Sequence, residues 1–238
     1  MDRVYFFSDV HLGAHSEETE QKKISRLTSF LQQLKGKADY LYIVGDLYDF
    51  WFEYRTVVPK VNLRVLSALL QLVDAGVKIF YFTGNHDLWH KHYLAKEIGL
   101  TFFHEPQMIM HNKLKFFVAH GDGLTAGQWK LRLMKQIMAN GLNQSLFRLL
   151  HPDFGISLMQ AYSKYSKSSG ENKFMAAYRK LAHEKIDAGL DAVIVGHAHV
   201  PCFENIKGKH FICLGDWIEN FTYLELLPNS FQLRTWEG

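Results

Sequence analysis

Five strand-like runs in this chain each end directly in a short cluster of glycine, aspartate, asparagine or histidine residues, and this pattern constrains the fold more than any other feature. The clusters are Asp9-Val10-His11, Gly45-Asp46-Leu47-Tyr48-Asp49, Gly84-Asn85-His86-Asp87, His120-Gly121-Asp122 and Gly196-His197-Ala198-His199. Ligands of open α/β sheets bind in the crevice beyond the carboxyl ends of the strands. We therefore expect the five clusters to meet in one site.

Helical runs separate the first strands, and this alternation predicts an α/β fold. The strand-like runs are Val4–Ser8, Tyr40–Val44, Val77–Phe82, Lys115–Ala119 and Ala192–Val195, and helical spacing covers Glu17–Leu34 and Val61–Val73. After residue 200 the pattern changes to short strands joined by turns. These are Phe203–Ile206, His210–Leu214, Phe221–Leu226 and Phe231–Trp236. They predict an antiparallel meander, and the whole pattern predicts two sheets with helices outside.

Length and composition exclude several classes of protein. The 238 residues, 47% hydrophobic and 21% charged, predict one globular domain that needs no disulfide or metal simply to fold. The apolar runs are too short for a membrane-spanning helix. A strand-like run begins at Val4, which leaves no room for a signal peptide. The 2 cysteines cannot form a disulfide framework, so we expect a cytoplasmic protein.

Residues 123–190 interrupt the alternation because their spacing is helical almost throughout. Their apolar stripes are Trp129, Leu133, Ile137 and Met138, and Leu142, Leu146, Leu149 and Leu150. Residues 123–180 carry nine Lys and Arg against two acids, whereas the whole chain has a net charge of only +3. A basic helical insertion of this kind favours an anionic partner, such as a phosphate-bearing lipid or a membrane surface. The alternative is a helical subdomain whose stripes form its own core and whose lysines are solvated.

The side chains of the five clusters predict a metal site. Histidine, the commonest metal ligand, occurs 13 times in the chain. Imidazole, carboxylate and amide donors without thiolate suit borderline divalent ions such as Mn²⁺, Fe²⁺ and Zn²⁺. The candidate ligands are Asp9, His11, Asp46, Asn85, His120, His197 and His199. Seven are too many for one tetrahedral ion but fit two that share Asp46, and such a pair activates water and clamps a phosphoryl group.

The ordered motifs from Asp9 to His199 resemble those of the calcineurin-like metallophosphoesterase superfamily. The resemblance implies a four-layer α-β-β-α double β-sandwich and two divalent ions, for which we expect Mn²⁺. One ion would take Asp9, His11, Asp46 and His199, and the other would take Asp46, Asn85, His120 and His197. His86 would contact the phosphoryl oxygens or protonate the leaving group. We expect Asp87 to orient His86 by accepting its other N–H.

Within that superfamily the chain is most similar to the UDP-2,3-diacylglucosamine hydrolases of lipid A synthesis. The likeness rests on Ser8–Gly13, Gly45–Trp51, His120–Leu124 and the helical insertion that follows. Those enzymes cleave the pyrophosphate of a UDP-linked diacyl sugar and release UMP and an acylated sugar 1-phosphate. The resemblance implies a lipid-linked nucleotide sugar as substrate, a lid formed by residues 123–190, and a peripheral position on the cytosolic face of the inner membrane.

One residue departs from those hydrolases, because His86 stands where they typically have arginine. The phosphate contact of that arginine must then come from elsewhere. Candidate substrate-binding residues are Arg55, Asp122, Lys130, Arg132, Lys164, Lys167 and Arg179. An alternative role for Asp122, and the expected role for Asp49, is to orient the metal ligands from behind. The aromatic run over residues 49–55 either lines the substrate crevice or packs beneath the insertion.

Other functions remain open at this point. The main alternative is a metallophosphoesterase, either a phosphodiesterase or a phosphatase, that acts on another small phosphorylated substrate. A nuclease is less expected, because no basic groove interleaved with aromatic residues is evident and we expect no nucleic-acid partner. A protein phosphatase and a metal-bearing scaffold without catalysis are the remaining alternatives. The scaffold would be expected to have lost ligands, and every expected ligand is present.

Overall fold

The computed structural model describes residues 1–60, 63–90, 92–166 and 174–238. Its strands are β1 (Val4–Phe7), β2 (Tyr40–Val44), β3 (Lys78–Phe82), β4 (Thr101–Phe103), β5 (Gln107–His111), β6 (Leu114–Ala119), β7 (Ala192–Val195), β8 (Cys202–Ile206), β9 (Lys209–Cys213), β10 (Thr222–Leu227) and β11 (Ser230–Thr235). Its helices are α1 (Glu17–Leu34), α2 (Leu63–Asp74), α3 (Tyr93–Glu97), α4 (Trp129–Ala139), α5 (Gly141–Phe147), α6 (Pro152–Ser166) and α7 (Met175–Asp187), with a short 3₁₀ turn at Ala126–Gln128.

The strands form two sheets that pack face to face. The first sheet has the order β11-β10-β1-β2-β3-β4, and the second has the order β5-β6-β7-β9-β8. Successive side chains of a strand point to opposite faces. Phe6 of β1 therefore faces the core between the sheets, whereas Phe7 faces the helices, where it packs against Phe30 of α1.

Helices cover the outer face of each sheet, which completes the four layers. α1 and α2 pack together on the first sheet. α1 begins at Ser16, whose side chain accepts a hydrogen bond from the Thr19 N–H, and three glutamates in its first turn suit the positive end of the helix dipole. α7 packs on the second sheet through buried residues that include Tyr178 and Ala182. The expected α-β-β-α sandwich is confirmed.

The predicted meander after residue 200 is wrong. The hairpin of β8 and β9 extends the second sheet, where β9 runs parallel to β7, whereas the hairpin of β10 and β11 joins the first sheet beside β1. The local pattern identifies strands but not their partners, because pairing depends on which sheet edge is free. Trp217 lies at the crossing between the sheets, and its backbone N–H donates to the Asp9 carbonyl at 3.0 Å.

The stretch from the 3₁₀ turn through α6 differs from the other helices. The inner side of these helices packs on a buried aromatic cluster of Phe50, Phe52 and Trp89. The outer apolar side chains are exposed, including Trp129 at 58%, Leu142 at 69% and Leu149 at 82%. No helix within the described ranges is long and apolar enough to cross a membrane.

Candidate metal centre

The loops that follow β1 and β2 are hydrogen-bonded to each other at the carboxyl end of the first sheet. The N–H groups of Val10 and His11 both donate to the Asp46 carbonyl at 2.9 Å, and the Asp9 N–H donates to the Gly45 carbonyl at 3.2 Å. In the second sheet the Gly196 N–H donates to the His120 carbonyl at 2.8 Å. These bonds bring the motifs of both sheets to one rim, as the strand-end pattern predicted.

Five of the candidate ligands have a left-handed backbone, which is uncommon outside glycine. Their φ angles are 56° for Asp9, 48° for His11, 53° for Asp46, 64° for His197 and 55° for His199. Such conformations cost on the order of 1–3 kcal/mol each and cluster at functional sites. Asp and His tolerate this region better than most residues. The backbone at the rim is therefore held in place by the surrounding hydrogen bonds.

The donor atoms fall into two groups that share Asp46. In the first group, His11 Nε2 lies 3.2 Å from His199 Nε2 and 3.7 Å from Asp46 Oδ2. Asp9 Oδ1 lies 3.5 Å from His199 Nε2. In the second group, His120 Nε2 lies 3.2 Å from Asp46 Oδ2 and 3.3 Å from Asn85 Oδ1. Candidate donors of Asp46, His120 and His197 all lie within 4.8 Å of one another.

This arrangement fits divalent cations. Asp9 Oδ1 and His197 Nε2 are buried and have no hydrogen-bond partner among the described residues. Buried polar atoms are normally paired, so unpaired atoms at one rim need an explanation such as an ion. The unprotonated nitrogens of two neighbouring imidazoles would repel each other unless a cation or a proton lay between them. The donor set contains imidazole, carboxylate and amide groups without thiolate, which suits a borderline divalent metal.

Charge and burial oppose each other at these ligands. Burial alone would raise the pKa of Asp46, yet the positive charges of His120 and His86 hold it well below its usual range. Burial disfavours a protonated His120, but the Asp46 carboxylate outweighs burial and raises the pKa of His120 to about 10. Burial lowers the pKa of His197 to about 4 and that of His11 well below its usual range.

Residues behind the ligands fix their orientation. His120 Nδ1 lies 2.9 Å from the Val44 carbonyl, which can only accept, so this contact leaves Nε2 unprotonated toward the site when the ring is neutral. Lys23 is fully buried, and its Nζ donates to the carbonyls of Val10 at 3.0 Å and His11 at 2.7 Å. Glu20 pairs with Lys23 at 2.6 Å. Lys23 reads as an ordinary helix residue in the sequence, so its role was not predicted.

Two glycines let the backbone approach the ligands. A Cβ on Gly84 would collide with the Asp46 carboxylate, and a Cβ on Gly45 would collide with the ring of His120. Gly45 also has a φ of +86°, in the region that favours glycine. The glycines of the second and third motifs are therefore required by contact with the ligands themselves.

The predicted contact between Asp87 and His86 is wrong. Asp87 is fully buried and accepts hydrogen bonds from the Gly84 N–H at 2.9 Å and from the Tyr81 hydroxyl. These bonds tie down the turn that carries Asn85. His86 Nδ1 instead lies 3.1 Å from the Asp49 carbonyl and 3.4 Å from Asp49 Oδ1. Asp49, in the loop that follows β2, therefore orients His86. Asp87 does not, because the tight turn points its side chain back toward β3.

The candidate substrate-binding residues are scattered. Arg132 and Asp122 line a cavity of 640 Å³ beside His120, together with Lys135, which lies 3.0 Å from Asp122 and was not predicted. Arg55 and Lys130 are exposed, and Arg179 is paired with Glu204 at 2.7 Å on the outer surface. The side chain of Lys164 and the whole of Lys167 lie outside the described residues.

Further space adjoins the centre on its other sides. A cavity of 670 Å³ lies beside Leu12 and Gly13 and is lined by α1, by residues 57–60 and by α6. A narrow cleft of 20 Å³ lies over Asn85 and His86, beneath three methionines of α4 and α6. The aromatic run after Asp49 contributes Phe50 to both spaces and packs Phe50 and Phe52 beneath the helices, so this run both lines the crevice and supports the helices.

Comparison with known proteins agrees with this geometry. The calcineurin-like phosphoesterase family profile matches residues 2–201. A UDP-2,3-diacylglucosamine hydrolase of Porphyromonas gingivalis is 31% identical over 93% of this chain and 92% of its own length. The enzyme of that name from Haemophilus influenzae strain PittGG is 28% identical over 97% of both chains. An archaeal phosphodiesterase of known structure shares the fold, with a TM-score of 0.51 and 14% identity over 98% of both chains.

The predicted family and enzyme class are confirmed by these matches. The profile spans all five strand-end motifs, because it runs from before Asp9 to beyond His199. The chain therefore belongs to the calcineurin-like phosphoesterase family, whose members are metal-dependent phosphoester hydrolases.

Proposed function

We propose that this protein is a two-metal hydrolase that cleaves the pyrophosphate of a UDP-linked diacylglucosamine. The products would be UMP and an acylated sugar 1-phosphate. The observation that carries the proposal is the near full-length likeness to relatives named UDP-2,3-diacylglucosamine hydrolase, at 26–31% identity. The two donor groups that share Asp46 support it, because they offer ligands for two ions. Mn²⁺ is the metal that we propose.

The ligand sets follow from the two groups. Asp9, His11 and His199 would hold one ion, Asn85, His120 and His197 would hold the other, and Asp46 would bridge them. Two bound ions supply an activated water and neutralise charge on the phosphoryl group. Water oxygen would bond to the uridylyl phosphorus and lose a proton to solvent, and the bond from that phosphorus to the bridging pyrophosphate oxygen would break. The proton given to the leaving phosphate comes from His86 in this proposal.

His86 is suited to this role by its surroundings. Its backbone N–H donates to the Asp46 carboxylate at 3.0 Å, and its ring Nδ1 lies 3.1 Å from the Asp49 carbonyl. Since Nδ1 faces Asp49, we propose that Nε2 is the ring atom that contacts substrate. Histidine can transfer a proton near neutral pH, whereas the arginine typical of the relatives cannot. Arg132 and Lys135 line the same cavity as His120, and we propose that they contact substrate phosphate.

The helices between residues 126 and 166 form the lid in this proposal. They carry five basic residues and one acidic residue, and their outer apolar side chains are exposed. We place the end of the lid before α7, because α7 packs on the second sheet. The exposed stripes favour a peripheral position on the cytosolic face of the inner membrane over a self-contained helical core.

The substrate is tested by incubating the purified protein and Mn²⁺ with UDP-2,3-diacylglucosamine and measuring UMP. We expect UMP release that falls at least a thousandfold in Asp46→Asn and in His120→Ala, because each change removes a proposed ligand. Near-full activity in either variant would contradict the two-metal mechanism. Rapid cleavage of simple phosphodiesters without UMP release would instead support the alternative of another small phosphorylated substrate, which the replacement of arginine by His86 keeps open.

A further inference from the structure

Ser163 on α6 places a hydroxyl among the residues that orient the candidate centre. Its side chain is only 3% exposed, and its Oγ donates a hydrogen bond to Asp49 Oδ1 at 2.8 Å. The same Oγ lies 3.4 Å from His86 Nδ1. A buried serine hydroxyl can donate one hydrogen and can accept in addition. Since the hydrogen is used on Asp49, the lone pairs of Ser163 are left for His86.

The Asp49 carboxylate that accepts from Ser163 also lies near two histidine rings. Its Oδ1 lies 3.4 Å from His86 Nδ1 and 3.5 Å from Nδ1 of His11, a candidate ligand. Its carbonyl lies 3.1 Å from His86 Nδ1. The carbonyl, the carboxylate and the Ser163 lone pairs are all acceptors, and together they favour hydrogen on Nδ1 of His86. Nε2 is then the nitrogen that faces substrate, and when the ring is protonated on both nitrogens Nε2–H gives up its proton while Nδ1–H is kept.

The contact also connects α6 to the reacting group. Ser163 lines the 20 Å³ cleft over Asn85 and His86, and Met134, Met138 and Met159 close the rest of it. The methionine side chains have no hydrogen to donate. Among the residues that α4 and α6 contribute to the lining of this cleft, Ser163 is therefore the one whose side chain donates a hydrogen bond. The hydrogen bond to Asp49 can form only when α6 is seated over the centre.

We propose that Ser163 is a positioning residue, which acts through Asp49 to hold His86 with Nδ1 protonated and which makes this orientation depend on the seating of α6. The inference rests on the role proposed above for His86. It assigns to α6 a function in the chemical step, in addition to any contact with the lipid part of a substrate.

The kinetic test uses Ser163→Ala, Ser163→Thr and the control Ser145→Ala. Ser145 lies on α5 and is exposed, and its hydroxyl donates to the Gly141 carbonyl of its own helix. With the phenyl ester of UMP, whose phenolate leaving group needs a proton, and with Mn²⁺, we expect Ser163→Ala to lower kcat about tenfold with KM changed less than twofold. Threonine keeps the hydroxyl and should restore most of kcat. An unchanged kcat in Ser163→Ala, or a change in KM alone, would overturn the proposal.

A double-mutant cycle separates positioning from general damage to the fold. In a His86→Ala background, Ser163→Ala should lower kcat less than twofold, because the group that it positions is gone. An additional tenfold loss in that background would show that Ser163 acts elsewhere. The cycle is run on a simple phosphodiester, so that failure to release UMP from the lipid substrate would refute the proposed substrate while leaving this test intact.

A spectroscopic measurement decides the matter independently of turnover. Long-range ¹H–¹⁵N spectra of the Zn²⁺-loaded protein report which imidazole nitrogen carries hydrogen. We expect His86 to be the Nδ1–H tautomer in the wild type and a mixture of tautomers in Ser163→Ala. The same tautomer in both proteins, or an Nε2–H tautomer in the wild type, would overturn the proposal.

Discussion

Single residues at this rim act through contacts that reach across the chain. Lys23 illustrates this, because its ammonium group donates to the carbonyls of Val10 and His11 and pairs with Glu20. The Glu20 carboxylate in turn accepts hydrogen bonds from the backbone N–H groups of Gly13 and His15. One buried pair therefore holds the whole loop from Val10 to His15. Removing one partner of a buried pair leaves the other partner uncompensated, which is more costly than the net value of the pair.

We expect Lys23→Met to lower the free energy of unfolding by about 3 kcal/mol and to weaken metal binding, because His11 loses its backbone support. Urea denaturation of the metal-free protein measures the first effect, and titration with Mn²⁺ measures the second. Lys22→Met is the matched control. Lys22 is exposed and lies 5.2 Å from the centre of the Phe221 ring, so its replacement should change stability by less than about 0.5 kcal/mol. Equal stability of the two variants would contradict this assignment.

At the scale of elements, the helices between residues 126 and 166 differ from those that cover the sheets. α1 and α7 bury an apolar face, whereas α4 and α5 have no buried residues. An apolar stripe that is already exposed contributes little to the stability of the fold. Its replacement should therefore affect a contact with another surface far more than it affects folding.

The double variant Leu142→Ser/Leu146→Ser tests such a contact. These side chains are 69% and 55% exposed, and burying a leucine contributes roughly 1.5–3 kcal/mol. We expect binding to vesicles of phosphatidylethanolamine and phosphatidylglycerol to weaken at least tenfold, with Tm unchanged. The control is Met108→Ser/Met110→Ser, which removes exposed apolar residues from the edge strand β5. Vesicle sedimentation that is equal for both variants would contradict membrane contact through α5.

At the scale of the whole molecule, metal binding and protonation compete for the same residues. The folded, metal-free protein holds a proton on His120, whose pKa is about 10 compared with about 6.5 in an unfolded chain. This contribution to stability is fully present below about pH 6.5 and is lost as the pH rises through about 10. Coordination requires a neutral imidazole, so metal binding must release this proton.

We therefore expect stabilisation by Mn²⁺ to increase between pH 6.5 and pH 8. If one proton is released, the apparent affinity for Mn²⁺ rises tenfold per pH unit. At saturating metal, the stabilisation of the fold by Mn²⁺ then increases by about 1.4 kcal/mol per pH unit. Thermal unfolding at fixed Mn²⁺ measures the effect, and the same protein in a chelator provides the baseline. An increment in Tm that does not depend on pH would show that His120 is already neutral in the metal-free protein.

The sequence alone predicted most of the strands and helices, although not β4, β5 or α3, and it supplied the candidate donors of the site. Strands and helices could be read from their periodicity, and the seven donors could be read from their position at strand ends, because parallel strands of one sheet end at the same edge. The partition into two donor groups follows the family resemblance. The role of His86 as a proton donor stays a prediction.

Only the tertiary structure decided which groups touch. In the structure the β8–β9 hairpin belongs to the second sheet, and Asp49, not Asp87, lies beside His86. Lys23 and Ser163 also lie at the rim. None of these contacts has a local signature, because each joins residues far apart in the chain or depends on the direction in which a turn points a side chain. Periodicity records which residues are buried, whereas the partner of a buried polar atom is set by packing, since only packing brings a distant donor within reach.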